Sequence, residues 1–337
     1  MNHFLSFVVC GGIHGTQKDT KTGSLVEENE AKRRKAPSQP RWNLIASDLP
    51  LPSLTSVKFS FFVSFCAKSA FFCVSCSLPA IVRRLPDDGW RFCGYWFPTM
   101  FEDFGSYEFV GSTNLQMPYR LLIPEGSTAG AKHPLVILFH GSGERGSDNT
   151  KQLSNGVERF AQPDARSRYP GFVLVPQCPT HLDGQPIMWT GEREKMHSLK
   201  LAPEPAPPLQ TALELLFMIQ KKYPVDPDRI YITGISMGGF ATWEALIRHP
   251  QDFAAAIPVC GGGDVSFADR IKQVPVWAFH GAEDPVVPVI CSRSMIETLE
   301  QAGGNPRYTE YPGVGHNSWD RAYAEPELLS WLFSQKR

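Results

Sequence analysis

The chain reads as an α/β protein: a mostly parallel central sheet with helices on both faces. Two observations point there. From residue 100 onward, short β-prone runs alternate with segments whose apolar residues recur at helical spacing. In addition, Leu135-Val136-Ile137-Leu138-Phe139 is apolar without a break, as a strand buried on both faces should be.

The elements follow in order. Residues 107–110 and 119–123 read as an opening antiparallel pair, 135–139 as the first buried strand and 172–175 as the next. Apolar residues at 209, 212, 213, 216 and 217 predict a helix over 209–223, which Pro224 stops. A strand at 230–233 leads into a helix at 239–248. Strands at 254–259 and 276–279 come next, then a helix at 289–301 ended by Gly303-Gly304. A strand at 307–311 and a helix at 325–334 close the alternation. The stretch 180–208, rich in proline and glycine, reads as an irregular insertion that could form a cap or pocket wall.

The first hundred residues differ in character. Residues 15–41 are polar and charged, with Lys32-Arg33-Arg34-Lys35 ahead of Pro37 and Pro40, as in a solvated segment that buries little. Residues 59–82 are apolar, but Lys68 and several serines make them a poor match to the roughly 20 apolar residues of a membrane span. They also lie too far from Met1 for a signal peptide. Residues 1–99 are therefore expected to be an irregular or disordered extension, and 100–337 the folded domain. The expected location is the cytoplasm, with membrane anchoring through 59–82 as the alternative.

Composition excludes some functions. A formal net charge of −1 over 337 residues gives no electrostatic footing for nucleic-acid binding. The hydrophobic share, 42%, suffices for a sizeable core. Beyond residue 100 the cysteines are Cys178, Cys260 and Cys291, a spacing that suits a reducing compartment better than a disulfide framework. Histidines and cysteines lack zinc-ligand spacing, and Cys73-Val74-Ser75-Cys76 has no second pair, so no metal site is expected.

The chemistry concentrates in Gly234-Ile235-Ser236-Met237-Gly238-Gly239. A G-x-S-x-G turn between strand and helix is the nucleophile elbow of the α/β-hydrolase fold. Its glycines permit a turn so sharp that a side chain would crowd the serine. Asp284 and His316, like Ser236, follow the carboxyl ends of expected strands, where ligand sites of open α/β sheets lie. Ser, Asp, His is also the chain order of that fold's triad. Ser236 would attack, His316 would take and return its proton, and Asp284 would orient the imidazole. The backbone N–H groups of Met237 and Ser142 are the expected oxyanion donors, with Gly141 as the alternative. Gly141, Arg145 and Trp319 are candidate substrate contacts.

Plainer readings compete. Asp284 before Pro285 suits an Asx-type turn, and Glu283 and Asp264 are rival acids. His140 and His280 each open a loop after a strand and read as structural hydrogen-bonders. Glu144-Arg145 reads as a local ion pair that stiffens its loop. Trp189 and Trp319 read first as packing residues.

Five segments carry a family resemblance. They are Leu138-Phe139-His140-Gly141-Ser142-Gly143-Glu144-Arg145-Gly146, Val175-Pro176-Gln177-Cys178-Pro179, the elbow at Ser236, His280-Gly281-Ala282-Glu283-Asp284-Pro285-Val286-Val287-Pro288, and Gly315-His316. Over residues 101–335 the chain resembles bacterial α/β-hydrolases of the phospholipase/carboxylesterase and dienelactone-hydrolase-like group, which includes peptidases or esterases of the prolyl oligopeptidase type. Dienelactone hydrolases proper use a cysteine where this chain has Ser236, which favours an esterase. The resemblance implies a cofactor-free hydrolase.

The expectation is thus a serine hydrolase that cleaves small-molecule carboxylic esters through an acyl-enzyme. A prolyl-oligopeptidase-type peptidase and a thioesterase are the alternatives. A non-catalytic binding protein on the same fold is the reading from another class. Oligomeric state stays open.

Overall fold

The computed structural model describes the strands Val82–Arg84 and Trp90–Phe92 and residues 101–125, 130–191 and 200–337. Packing divides the chain into two units, Met1–Tyr95 and Trp96–Arg337. In the first, β1 (Val82–Arg84) and β2 (Trp90–Phe92) pair antiparallel. The expectations for 15–41, for 59–81 and for the Cys73/Cys76 pair lie outside the described residues.

The second unit opens with β3 (Phe104–Val110) and β4 (Gln116–Leu122), the expected antiparallel pair, and continues with β5 (His133–Phe139). Then come α1 (Val157–Ala161), α2 (Pro163–Arg168) and β6 (Phe172–Pro176). The insertion holds a minimal hairpin, β7 (His181–Leu182) with β8 (Gln185–Pro186). After it run α3 (Pro207–Lys222), β9 (Val225–Ile235), α4 (Met237–Arg248), β10 (Ala255–Val259) and α5 (Ala268–Ile271). The chain ends with β11 (Trp277–Gly281), α6 (Ile290–Gln301), β12 (Arg307–Tyr311), α7 (Trp319–Ala324) and α8 (Leu328–Ser334).

These strands form an 8-stranded sheet in the order β12-β11-β10-β9-β5-β6-β4-β3. All neighbours from β12 to β6 are parallel, and β4 joins β6 antiparallel. The unbroken apolar run of β5 divides by parity, because successive side chains leave opposite faces of a strand. Leu135, Ile137 and Phe139 join a core with Leu215 and Ile219 of α3 and Leu299 of α6. Val136 and Leu138 join a second core with Val157 and Phe160 of α1 and Leu332 of α8. β9 repeats the scheme, with Ile230 and Ile232 on the first side and Tyr231 on the second. Both faces are thus covered, and the expected α/β-hydrolase fold is the fold observed.

Several elements depart from expectation. β9 begins at Val225, where Asp226 and Pro227 mask the strand; its first pairing with β5 carries a register shift between His133 and Leu135. The helix expected over 325–334 begins only at Leu328, after Pro326, and a separate α7 precedes it. α1 and α2 span 5 and 6 residues, too short to show a helical period.

Candidate active site

Ser236 lies at the corner between β9 and α4 with φ 51° and ψ −115°. That conformation costs a non-glycine residue about 1–3 kcal/mol and persists only where its surroundings enforce it. Here they do. Its N–H donates to the Val259 carbonyl at 3.0 Å, and its own carbonyl accepts from Phe240 N–H at 3.0 Å. The flanking glycines permit backbone contact: a Cβ on Gly234 would lie 2.4 Å from the Gly238 carbonyl oxygen, and one on Gly238 only 2.0 Å from that of Phe139. Both obstacles are main chain and cannot turn aside.

Asp284 follows β11, and its two carboxylate oxygens do different things. Oδ1 accepts the N–H groups of Val286 at 2.8 Å and Val287 at 2.9 Å, the Asx-type turn anticipated before Pro285. Oδ2 faces His316 Nδ1 at 2.7 Å. The turn and the site reading therefore hold together, one oxygen for each. His316, beyond β12, places its other nitrogen, Nε2, 2.9 Å from Ser236 Oγ. A carboxylate only accepts, so Nδ1 carries the proton and Nε2 is free to receive one from the serine. The Asp284 side chain is 0% exposed and that of His316 21%, which puts the imidazole at the rim of the site. The rival acids lie elsewhere. Asp264 caps a turn through Ser266 and accepts Leu201 N–H at 2.8 Å, and Glu283 is exposed.

The loop after β5 is fastened from several sides. His140 is fully buried; its Nδ1 donates to the Gly141 carbonyl at 2.6 Å and its Nε2 accepts Cys178 N–H at 2.9 Å. Burial holds its pKa down at about 4, so the ring is neutral with a fixed tautomer. Gln177 donates to the Glu144 carbonyl at 3.0 Å and accepts Asn149 N–H at 2.7 Å. The segment 175–179 is therefore the brace of this loop. Trp189 is buried and donates to the His140 carbonyl at 3.1 Å, a packing role as anticipated.

Among the described residues no ion pair joins Glu144 and Arg145; each side chain bonds elsewhere. Burial raises the Glu144 pKa, opposed by hydrogen bonds from its own N–H, from Gly141 N–H and from Asn155 Nδ2. Arg145 instead donates to the carbonyls of Ser142 at 3.1 Å and Ile187 at 3.0 Å, tying the loop to the insertion. Ser142 and Met237 each begin a helical turn, where N–H groups lack an intrahelical acceptor. Trp319 sets its ring edge-on to His316, centroids 5.3 Å apart.

Sequence reasoning missed Cys260, at the end of β10 with φ 39°. Its sulfur and the ligand-type atoms of Asp284 and His316 lie within 4.8 Å of one another. The chemistry does not suit a metal. Burial pushes the thiol pKa up to about 12, so it stays protonated. Asp284 Oδ2 and His316 Nδ1, at 2.7 Å, sit closer than the roughly 3.3 Å that two ligands of one zinc ion require.

A serine on a strand-to-helix corner, at the carboxyl edge of this sheet, defines an α/β-hydrolase, and the comparisons give its class as carboxylic ester hydrolase. Residues 209–325 match the phospholipase/carboxylesterase family. The chain is 32% identical over 226 residues to acyl-protein thioesterase 1 of Gibberella zeae, a match covering 60% of this chain and 91% of that protein. It is 24% identical over 220 residues to an Oryza sativa subsp. japonica protein named a probable carboxylesterase, covering 62% and 80%. A solved thermostable esterase superposes with a TM-score of 0.65 at 40% identity, over 71% of this chain and 64% of that one. A ferulic acid esterase shares the fold, with a TM-score of 0.53 at 17% identity over 68% and 98%. The chain belongs to the phospholipase/carboxylesterase family.

Proposed function

We propose that the chain hydrolyses carboxylic esters through an acyl-enzyme, with Ser236 as nucleophile, His316 as general base and acid, and Asp284 as the group that orients His316. The observation that carries this reading is the continuous path from Ser236 Oγ to His316 Nε2, 2.9 Å, and from His316 Nδ1 to Asp284 Oδ2, 2.7 Å. Ser236 Oγ bonds to the ester carbonyl carbon while its proton passes to Nε2. The tetrahedral intermediate collapses, the alcohol leaves with that proton, and water repeats the sequence to free the acid. Met237 N–H and Ser142 N–H receive the oxyanion. Arg145 and Trp319 flank the site as substrate contacts, and residues 100–337 make up the catalytic domain. No helix among the described residues is long and apolar enough to cross a membrane. Cys178, Cys260 and Cys291 are thiols, which fits a reducing compartment such as the cytoplasm.

Thioester hydrolysis is the second reading, favoured by the 32% identity to an acyl-protein thioesterase. A panel of p-nitrophenyl esters, one thioester and one proline peptide, each run against Ser236→Ala, tests both. Ester turnover that falls at least about 10³-fold in the variant supports the proposal. Equal, slow hydrolysis by both proteins refutes it.

A further inference from the structure

A second histidine also faces Asp284 Oδ2, the oxygen that receives His316. His280, in β11, is fully buried. Its Nε2 lies 3.0 Å from the Val287 carbonyl oxygen and 3.4 Å from Asp284 Oδ2. Both are acceptors only, so Nε2 carries a proton. Its Nδ1 lies 2.7 Å from Ser292 Oγ in α6, and that hydroxyl lies 2.9 Å from the Gly261 carbonyl oxygen beyond β10.

Val287 is a shared point. Its N–H holds Asp284 Oδ1 at 2.9 Å, while its carbonyl is held by His280. The imidazole therefore grips the turn that fixes one carboxylate oxygen and directs an N–H toward the other, the same oxygen that receives His316. With the ring proton on Nε2, the single Ser292 hydroxyl proton serves Nδ1, so α6 holds one side of the ring and the Val287 turn the other.

We propose that His280 is a positioning residue for the reaction: clamped by Ser292, it fixes the Asp284 turn through Val287 and places a partial positive charge beside Asp284 Oδ2, setting how strongly that carboxylate acts on His316. The proposal rests on the triad reading above. Burial lowers the His280 pKa, in keeping with a neutral ring that has its one proton on Nε2. The titratable groups around it are Asp284 and His316 in the site, Glu310 beside it on β12, itself paired with Arg293 of α6, and Cys260 beyond Asp284.

The test compares His280→Leu, His280→Gln and Ser292→Ala in the full chain, with Ser236→Ala alongside, for kcat, KM and the pH dependence of kcat/KM on one short p-nitrophenyl ester. Loss of the N–H should lower kcat by about 10- to 100-fold with KM little changed. It should also move the acidic limb of the pH profile upward, because an unshielded Asp284 holds the imidazolium more firmly. His280→Gln, which keeps a donor near Nε2, should recover most of kcat. Ser292→Ala, the milder change, should shift the limb in the same direction even if His280→Leu does not fold. An unmoved limb in the folded variants, or equal loss in His280→Leu and His280→Gln, overturns the proposal by leaving His280 a packing residue. If Ser236→Ala retains wild-type turnover, the triad reading itself has failed, a result separate from either outcome.

Discussion

The backbone N–H of Cys178 ends on a side-chain nitrogen, His140 Nε2, 2.9 Å away. Main chain from the end of one strand thus holds a neutral imidazole at the root of the loop from another, and the pairing fails when the ring takes a proton.

The pH dependence has a definite sign. In the unfolded chain His140 takes up a proton near its ordinary value of 6.5, whereas in the folded protein burial delays this to about 4. Between those values the unfolded state binds more protons, so stability falls as pH drops through the window, by on the order of 3 kcal/mol. Melting temperatures at several pH values, for wild type and His140→Gln, should show a steeper loss in the wild type from pH 6.5 to 4. Parallel curves would refute the assignment.

Replacing Asp284 by Asn should leave the fold intact, because Oδ1 can still accept the Val286 and Val287 N–H groups. The amide can no longer balance an imidazolium. On the proposed mechanism kcat should fall by about 10³- to 10⁴-fold at neutral pH, with a melting temperature close to wild type. A variant within tenfold of wild type would point to another acid.

Glu144 lies in the same short helical turn as Ser142 and accepts Asn155 Nδ2 at 3.0 Å, which ties that turn to the chain after it. Glu144→Ala frees that turn. Its kcat should drop by about tenfold with little change in KM, a fraction of what loss of an oxyanion donor costs. A rise in KM alone would place Glu144 in substrate binding.

Gly238→Ala tests the corner itself. The added Cβ would meet the Phe139 carbonyl oxygen at 2.0 Å, and β5 lies in the middle of the sheet, so it has nowhere to go. A loss of about 3 kcal/mol or more is expected, seen as insoluble expression or a collapsed melting temperature. A soluble variant of wild-type stability would show that the corner can open.

The convergence of Ser236, Asp284 and His316 was readable from sequence because each follows a strand of recognisable pattern, and sheet geometry brings such ends together. That His280 would hydrogen-bond was legible, but that it and Cys260 lie beside Asp284 was not, since this depends on the side-by-side order of β9, β10 and β11, which linear spacing does not contain. The Glu144-Arg145 pair misled for a local reason: opposite charges adjacent in sequence suggest a pair, yet Glu144 accepts from Asn155 Nδ2 and Arg145 donates to the Ser142 and Ile187 carbonyls. Gln177, a polar residue after a strand, gave no sign that it braces a distant turn.

β12 is the sheet's outermost strand on its side, bonded to one neighbour, and Arg307 at its start is exposed. Edge segments open at lower free energy than central ones. This strand also delivers His316, whereas the corner at Ser236 rests on β9 in the interior. Under mild denaturant the base should therefore drift from a still well-formed nucleophile, so that activity fades in advance of the tryptophan fluorescence of the core. On the proposed mechanism, a reversible silent state would then lie between native and unfolded, with the proposed base displaced and the Ser236 corner still formed.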